Sequence, residues 1–174
     1  MRWAKTGCGV GLAVGLAACS PALDWREIQP PESGAVVMFP CKPDRFVRSV
    51  TLAEQKVQMH LASCSADGVT YALSHAELGD PTRVAAALEA LRALAASNLG
   101  GQATVMSPLN VPGMTPNRLA ERLAIKGSSG EGRVLQAEVG VFTRGLRVYQ
   151  ATVIGEKLDP QGTDTFFTGL RLPS

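Results

Sequence analysis

Two histidines, four cysteines and a scatter of serines are the side chains of this 174-residue chain that could act as nucleophile, base or metal ligand. Ser74 and His75 are neighbours, but successive side chains on a strand point to opposite faces, so they cannot work as nucleophile and base. His60 and Cys64 share a strand face, yet four residues of strand hold them about 13 Å apart, too far for a thiolate–imidazole pair. Neither histidine has a second ligand at a recognisable metal spacing, and both read as polar positions on a partly covered sheet. Asp80 and Asp159 each precede a proline and read as helix caps. Glu77, Glu89, Glu121 and Glu138 alternate with apolar residues, as solvent-facing positions do. Gly127-Ser128-Ser129-Gly130-Glu131-Gly132 lacks the Lys-Ser/Thr of a phosphate loop and joins two strands, so it reads as a hairpin turn. No catalytic residue, metal site or cofactor is therefore assigned, and the chain is expected to be non-enzymatic.

Cys19 stands apart from the other cysteines. Arg2 and Lys5 form a short basic head, Cys8 to Ala17 is an apolar run rich in Gly and Ala, and Leu16-Ala17-Ala18-Cys19 closes it. That order is a secretory signal peptide over residues 1–18, and its apolar part is about half the roughly twenty residues a spanning helix needs. Leu-Ala-Ala-Cys resembles the lipobox of bacterial lipoproteins, which implies that the Cys19 thiol carries a diacylglycerol and becomes the first residue of the mature chain. Ser20 follows it, and by resemblance to enteric lipoproteins the absence of Asp there implies the outer membrane, facing the periplasm, over the inner one. Acyl chains contribute about 0.8 kcal/mol per buried CH₂, enough for several to anchor the protein without a transmembrane helix. Loss of Arg2 and Lys5 takes the 17 basic residues to 15, against 15 acidic ones, so no electrostatic case for nucleic acid remains.

With Cys8 in the signal and Cys19 lipidated, Cys41 and Cys64 are left in an oxidising compartment, where a disulfide persists. The alternative is two buried free thiols. Positioning the pair is a question of strand order. Ala35–Phe39, Phe46–Leu52, Lys56–Ser63 and Val69–Ala76 read as four strands of an antiparallel meander, the third with Val57, Met59 and Leu61 alternating with Gln58, His60 and Ala62. Strands one and three of a meander lie about 9.6 Å apart, and a disulfide needs Cα atoms within about 7 Å. Either the Pro40–Pro43 loop folds over the sheet end or the order is not a simple meander.

Residues 19–33 read as the lipidated N-terminus and a tether, with Trp25 and Ile28 packing at the edge of a single domain over 34–174. Asp80-Pro81 starts a helix of about seventeen residues whose apolar stripe is Val84, Leu88, Leu91 and Ala95, stopped at Asn98-Leu99-Gly100-Gly101. Strands are expected at Gln102–Met106, Arg118–Ile125, Arg133–Phe142 and Leu146–Ile154, then a short helix from Asp159-Pro160 containing Phe166 and Phe167. Ser107–Asn117, with three prolines, is the longest irregular stretch and carries Leu109, Val111 and Met114. These three either form a partner-binding loop or tuck onto the sheet.

In order, Val36-Val37-Met38-Phe39-Pro40, Val69-x-Tyr71-Ala72, the Asp80-Pro81 helix, Leu146-x-Val148-Tyr149-Gln150 and Phe166-Phe167-x-Gly169-Leu170-Arg171-Leu172 resemble the PsbP-like domains, whose fold is shared with the Ran guanine-nucleotide release factor. The resemblance spans roughly Ala35 to Leu172. It implies an α/β/α sandwich, an antiparallel sheet of six to seven strands flanked by helices, and the role of a non-catalytic adaptor docking on larger assemblies. Cys41 and Cys64 lie outside that pattern and look like a feature of a narrower group of proteobacterial lipoproteins. The expected function is a lipid-anchored envelope accessory protein presenting its sheet edge or its Ser107–Asn117 loop to a protein partner. The alternative is a carrier or sensor of a small apolar ligand or lipid.

Overall fold

Seven strands join in one antiparallel sheet, and alternating burial marks the central ones. The computed structural model describes residues 23–173, so the lipidation and signal-peptide assignments, Cys19 included, lie outside the described residues. In chain order the elements are β1 (Arg26–Ile28), β2 (Val37–Phe39), β3 (Asp44–Leu52), β4 (Gln55–Ala66), β5 (Val69–Glu77), α1 (Val84–Asn98), β6 (Gln102–Pro108), β7 (Glu121–Ser128), β8 (Val134–Arg144), β9 (Arg147–Gly155) and α2 (Pro160–Thr168). The large sheet has the order β3-β4-β5-β9-β8-β7-β6, with every neighbouring pair antiparallel. This is an α+β fold dominated by its seven-stranded sheet.

Both helix starts follow the expected chemistry. Asp80 accepts a hydrogen bond from the Thr82 amide at 2.8 Å and opens a 3-10 turn, Pro81–Arg83, that runs into α1. Asp159 accepts from the Gly162 amide at 2.7 Å, with Pro160 in the first position of α2. The far end of α1 stops where Gly100 takes a φ of 58° and the Gly101 amide reaches back to the Ala96 carbonyl.

The sheet buries both faces. On one, Ala87, Leu88, Leu91 and Ala95 of α1 meet Ile125, Val139, Val141 and Val148. On the other, Phe166 and Phe167 of α2 and Val37 and Phe39 of β2 meet Tyr71, Leu73, Tyr149 and Val153. Side chains alternate along β9, Val148 to the first core and Tyr149 to the second, which places the helices on opposite faces.

Two expectations change. The first strand of the expected meander is not in the large sheet: β2 pairs only with β1, as a ribbon laid over the α2 face. Val36 is joined to Arg171 by a single antiparallel bridge. The stretch expected as tether is also part of the fold. The Asp24 amide donates to the Pro40 carbonyl at 2.9 Å, Trp25 and Ile28 pack on the core, and Ser33 is fully buried. The packed chain thus reaches back to Asp24, beyond the expected start at Gly34.

Candidate functional site

With β2 lying above the sheet, Cys41 is carried over the face of β4, on which Cys64 sits. The two form a disulfide with Cα atoms 6.0 Å apart. Of the two routes left open, the structure takes the second: the order is not a simple meander. The bridge clips the ribbon to the sheet beneath it.

Leu109, Val111 and Met114 turn inward. Val111 is buried, Leu109 and Met114 are half-buried against the α2-face core, and the Val111 amide lies 3.2 Å from the Met114 sulfur. Gly140 on β8 makes room for this: a Cβ there would stand 2.8 Å from Leu109 and 2.9 Å from Phe167. The loop's apolar side chains pack onto the core, as the tucked alternative requires.

The histidines are brought together. His60 on β4 lies directly opposite His75 on β5, with ring centroids 4.9 Å apart and planes 21° from parallel. His75 in turn lies opposite Tyr149 on β9, and Tyr149 opposite Phe142 on β8, these last two rings stacked at 4.8 Å. Four rings thus form one cross-strand row, continued at its outer end by Val47 on β3. Exposure falls along it, from 59% at Val47 to 4% at His75 and 0% at Phe142.

The outer half of the row floors a groove roofed by Pro30, Pro31 and Glu32. One hollow of about 230 Å³ lies against Phe46, Val47 and Ala62, and an adjoining one of about 320 Å³ reaches Lys56, Glu77 and Arg147. Both share Glu32, His60 and His75. The roof is held by hydrogen bonds to Ser33: its Oγ donates to the Pro30 carbonyl at 2.6 Å, and its carbonyl accepts from Tyr149 Oη at 2.6 Å and Arg147 Nη1 at 3.3 Å. Arg147 is also paired with Glu77 at 2.8 Å.

Burial is the main force on His75, pushing its pKa down from 6.5 to about 4, and the neighbouring His60 and Arg147 add to the fall. At neutral pH His75 is therefore an uncharged ring. His60 stands at the rim, its Nδ1 3.4 Å from a Glu32 carboxylate oxygen. Ser74 lies on the opposite face, where its hydroxyl donates to the Gln150 carbonyl at 3.4 Å. Among the described residues, no group of three or more His, Cys, Asp or Glu side chains is placed to hold a metal ion. The stacked His60 and His75 rings, a proline roof and an apolar strand edge form a surface for holding an apolar or planar side chain.

The chain matches no family model and no curated protein. The groove's assignment therefore rests on its own geometry.

The His60–His75 pairing escaped the reading of single strands, although a signal for it was present. Asp67-Gly68 is a two-residue turn with φ of 51° and 74°, the positive values that a tight hairpin demands and that Asp-Gly favours. It sets Ala66 opposite Val69. Equal steps back along both strands arrive at His60 opposite His75. The roof carried no comparable signal, because it depends on Tyr149 and Arg147, more than a hundred residues away in the chain.

Proposed function

We propose that this protein is a non-enzymatic accessory module of a Gram-negative envelope, anchored through a lipidated Cys19 on the periplasmic side of the outer membrane, that offers an edge of its sheet to a protein partner. The single observation that carries this reading is β3. Among the described residues it is an edge strand paired only with β4, in unbroken register over nine residues, and Phe46 and Val47 stand about half exposed on it. Such an edge accepts a partner's extended segment as an added strand, with backbone hydrogen bonds supplying affinity and alternate side chains specificity. The opposite edge is less suited. Its register shifts between Val105 and Ser107 and it ends in Pro108, features that blunt a strand edge. The groove lies on the α2 face directly beside Val47 and provides a seat for one apolar side chain of the incoming segment. A seven-stranded antiparallel sheet with a helix on each face also supports the PsbP-like reading and the adaptor role it implies.

A photo-crosslinking residue at Ser49, compared with one at Ala85 on α1, tests this in intact cells. A discrete protein adduct is expected at Ser49 alone, and Val47→Lys should abolish it. No adduct at Ser49, or the same adduct from Ala85, would end the reading.

The alternative of a carrier for a small apolar ligand draws on the same groove, not on a space beneath α1, where Ala87, Leu88, Leu91 and Ala95 are buried against the sheet. It is favoured over the adaptor if an apolar fluorophore binds saturably, His75→Trp displaces it, and no protein adduct forms at Ser49.

A further inference from the structure

Covalent length limits how a lipidated Cys19 could hold this fold. The backbone is engaged from Asp24 onward, by its bond to the Pro40 carbonyl and then by pairing of β1 with β2. Only residues 20–22 separate Cys19 from Leu23. Four Cα–Cα steps span at most about 14 Å, less than half the length of the long strands of the sheet.

Leu23 enters at one particular end of the sheet. It lines a hollow with Val69, Tyr71, Leu158 and Pro160, beside the Asp67-Gly68 turn and the end of β9, where Gly155 pairs with Val69. The β7–β8 turn projects at the same end, since Gln136 also pairs with Gly155 and Arg133 lies 3.5 Å from Glu156. Val134, 69% exposed, opens β8 beside that turn. The Ala53-Glu54 and Arg144-Gly145 turns lie at the other end, about 30 Å off along strands of nine or more residues.

Resting on the lipidated-anchor reading above, we propose that the end of the sheet formed by the Asp67-Gly68 turn, the Ser129–Arg133 turn with the adjoining Val134, and Lys157–Pro160 lies against the phospholipid leaflet that carries Cys19. The Arg144-Gly145 end then points away from the membrane, and β3 runs outward from it with its free edge open to the periplasm. Charge does not select this end: Asp67, Glu131, Glu156 and Asp159 stand among Lys126, Arg133 and Lys157. The shortness of the link imposes the orientation, with Val134 and Leu158 as the apolar side chains brought to the interface.

The test uses the full chain, matured in a Gram-negative host and reconstituted in vesicles of phosphatidylethanolamine and phosphatidylglycerol bearing a nitroxide headgroup. A fluorophore is attached at Lys157→Cys or at Lys56→Cys, ten residues back along β4 from Ala66 and so about 33 Å from the proposed contact. Quenching is expected to be several-fold stronger at position 157. A long Gly-Ser insertion between Ser20 and Pro21 should bring the two positions to near equality. Equal quenching with the native link, or stronger quenching at position 56, overturns the orientation while leaving the anchor intact. Intact mass separates the cases, because a Cys19 without its diacylglycerol overturns the anchor reading and the orientation together.

Discussion

Over one face of the sheet a single helix, α1, closes the core with Ala87, Leu88, Leu91 and Ala95, and only aliphatic side chains face it at the centre. Over the other, closure is assembled from α2, the β1–β2 ribbon, the loop carrying Val111 and the C-terminal Leu170 and Leu172. A helix satisfies its own backbone, so the first face needs apolar contact and two good ends. Irregular chain does not, and the second face supplies partners one by one: Arg171 to Val36, Leu172 to Pro112, Thr115 to Thr143 and Tyr149 to the Ser33 carbonyl. It also holds the disulfide, the aromatic row and the buried His75. The groove exists on this face because closure by separate pieces leaves seams, whereas one helix of small and aliphatic residues lies flat.

The largest expected effect compares the cores directly. Phe166 is fully buried and touches Phe39, Tyr71 and Phe167 at centroid distances of 5.6 to 5.7 Å. Phe166→Ala should cost about 3–5 kcal/mol and Leu88→Ala about 2–5 kcal/mol in urea denaturation. Amide exchange sharpens this: Phe166→Ala should expose the ribbon amides before global unfolding, and Leu88→Ala should not.

Removal of the bridge acts on the assembled face alone. Opening a loop with a sequence separation of 23 by Cys41→Ser with Cys64→Ser should cost about 3 kcal/mol. Amides of β1 and β2 should lose protection first, while those of α1 exchange only on global unfolding. Equal loss over both faces would contradict their independence.

Acid provides the third comparison. His75 titrates near 4 in the fold and near 6.5 when unfolded, so between these values the unfolded chain binds more protons and stability falls with pH. By pH 4 this single group should have removed about 3 kcal/mol. His75→Phe should flatten that part of the stability profile, as followed by urea midpoints from pH 7 to pH 4. An unchanged slope would mean that acid enters elsewhere.

The smallest effect concerns the helix starts. Asp159→Ala should cost about 1 kcal/mol and loosen α2 and the groove face only, and Asp80→Ala should lower the melting temperature less and loosen the start of α1. Thermal melts with exchange at Phe166 and Leu88 would separate the two.

Both helix starts were legible because capping is local: a carboxylate, a proline and the next amides lie within four residues. The three-stranded run β3-β4-β5 was legible for the same reason, since tight turns join neighbours. Where β2 went was not. Val37–Phe39 has the alternation of any strand, and only its pairing with Arg26–Ile28, a segment with weak strand character, lifts it out of the sheet. That displacement explains the cysteine geometry, which a simple meander does not allow. Leu109, Val111 and Met114 were ambiguous because an apolar loop residue looks alike whether it faces solvent or a gap beside Gly140.

Local chemistry along the chain determined the turns, caps and periodicities, each set within a few residues. Tertiary structure alone decided which strand left the sheet, which apolar loop was core, and that His75 would sit neutral beneath a proline roof. Those outcomes depend on contacts between segments far apart in sequence, where many partners satisfy the same local pattern and only the packed whole selects one.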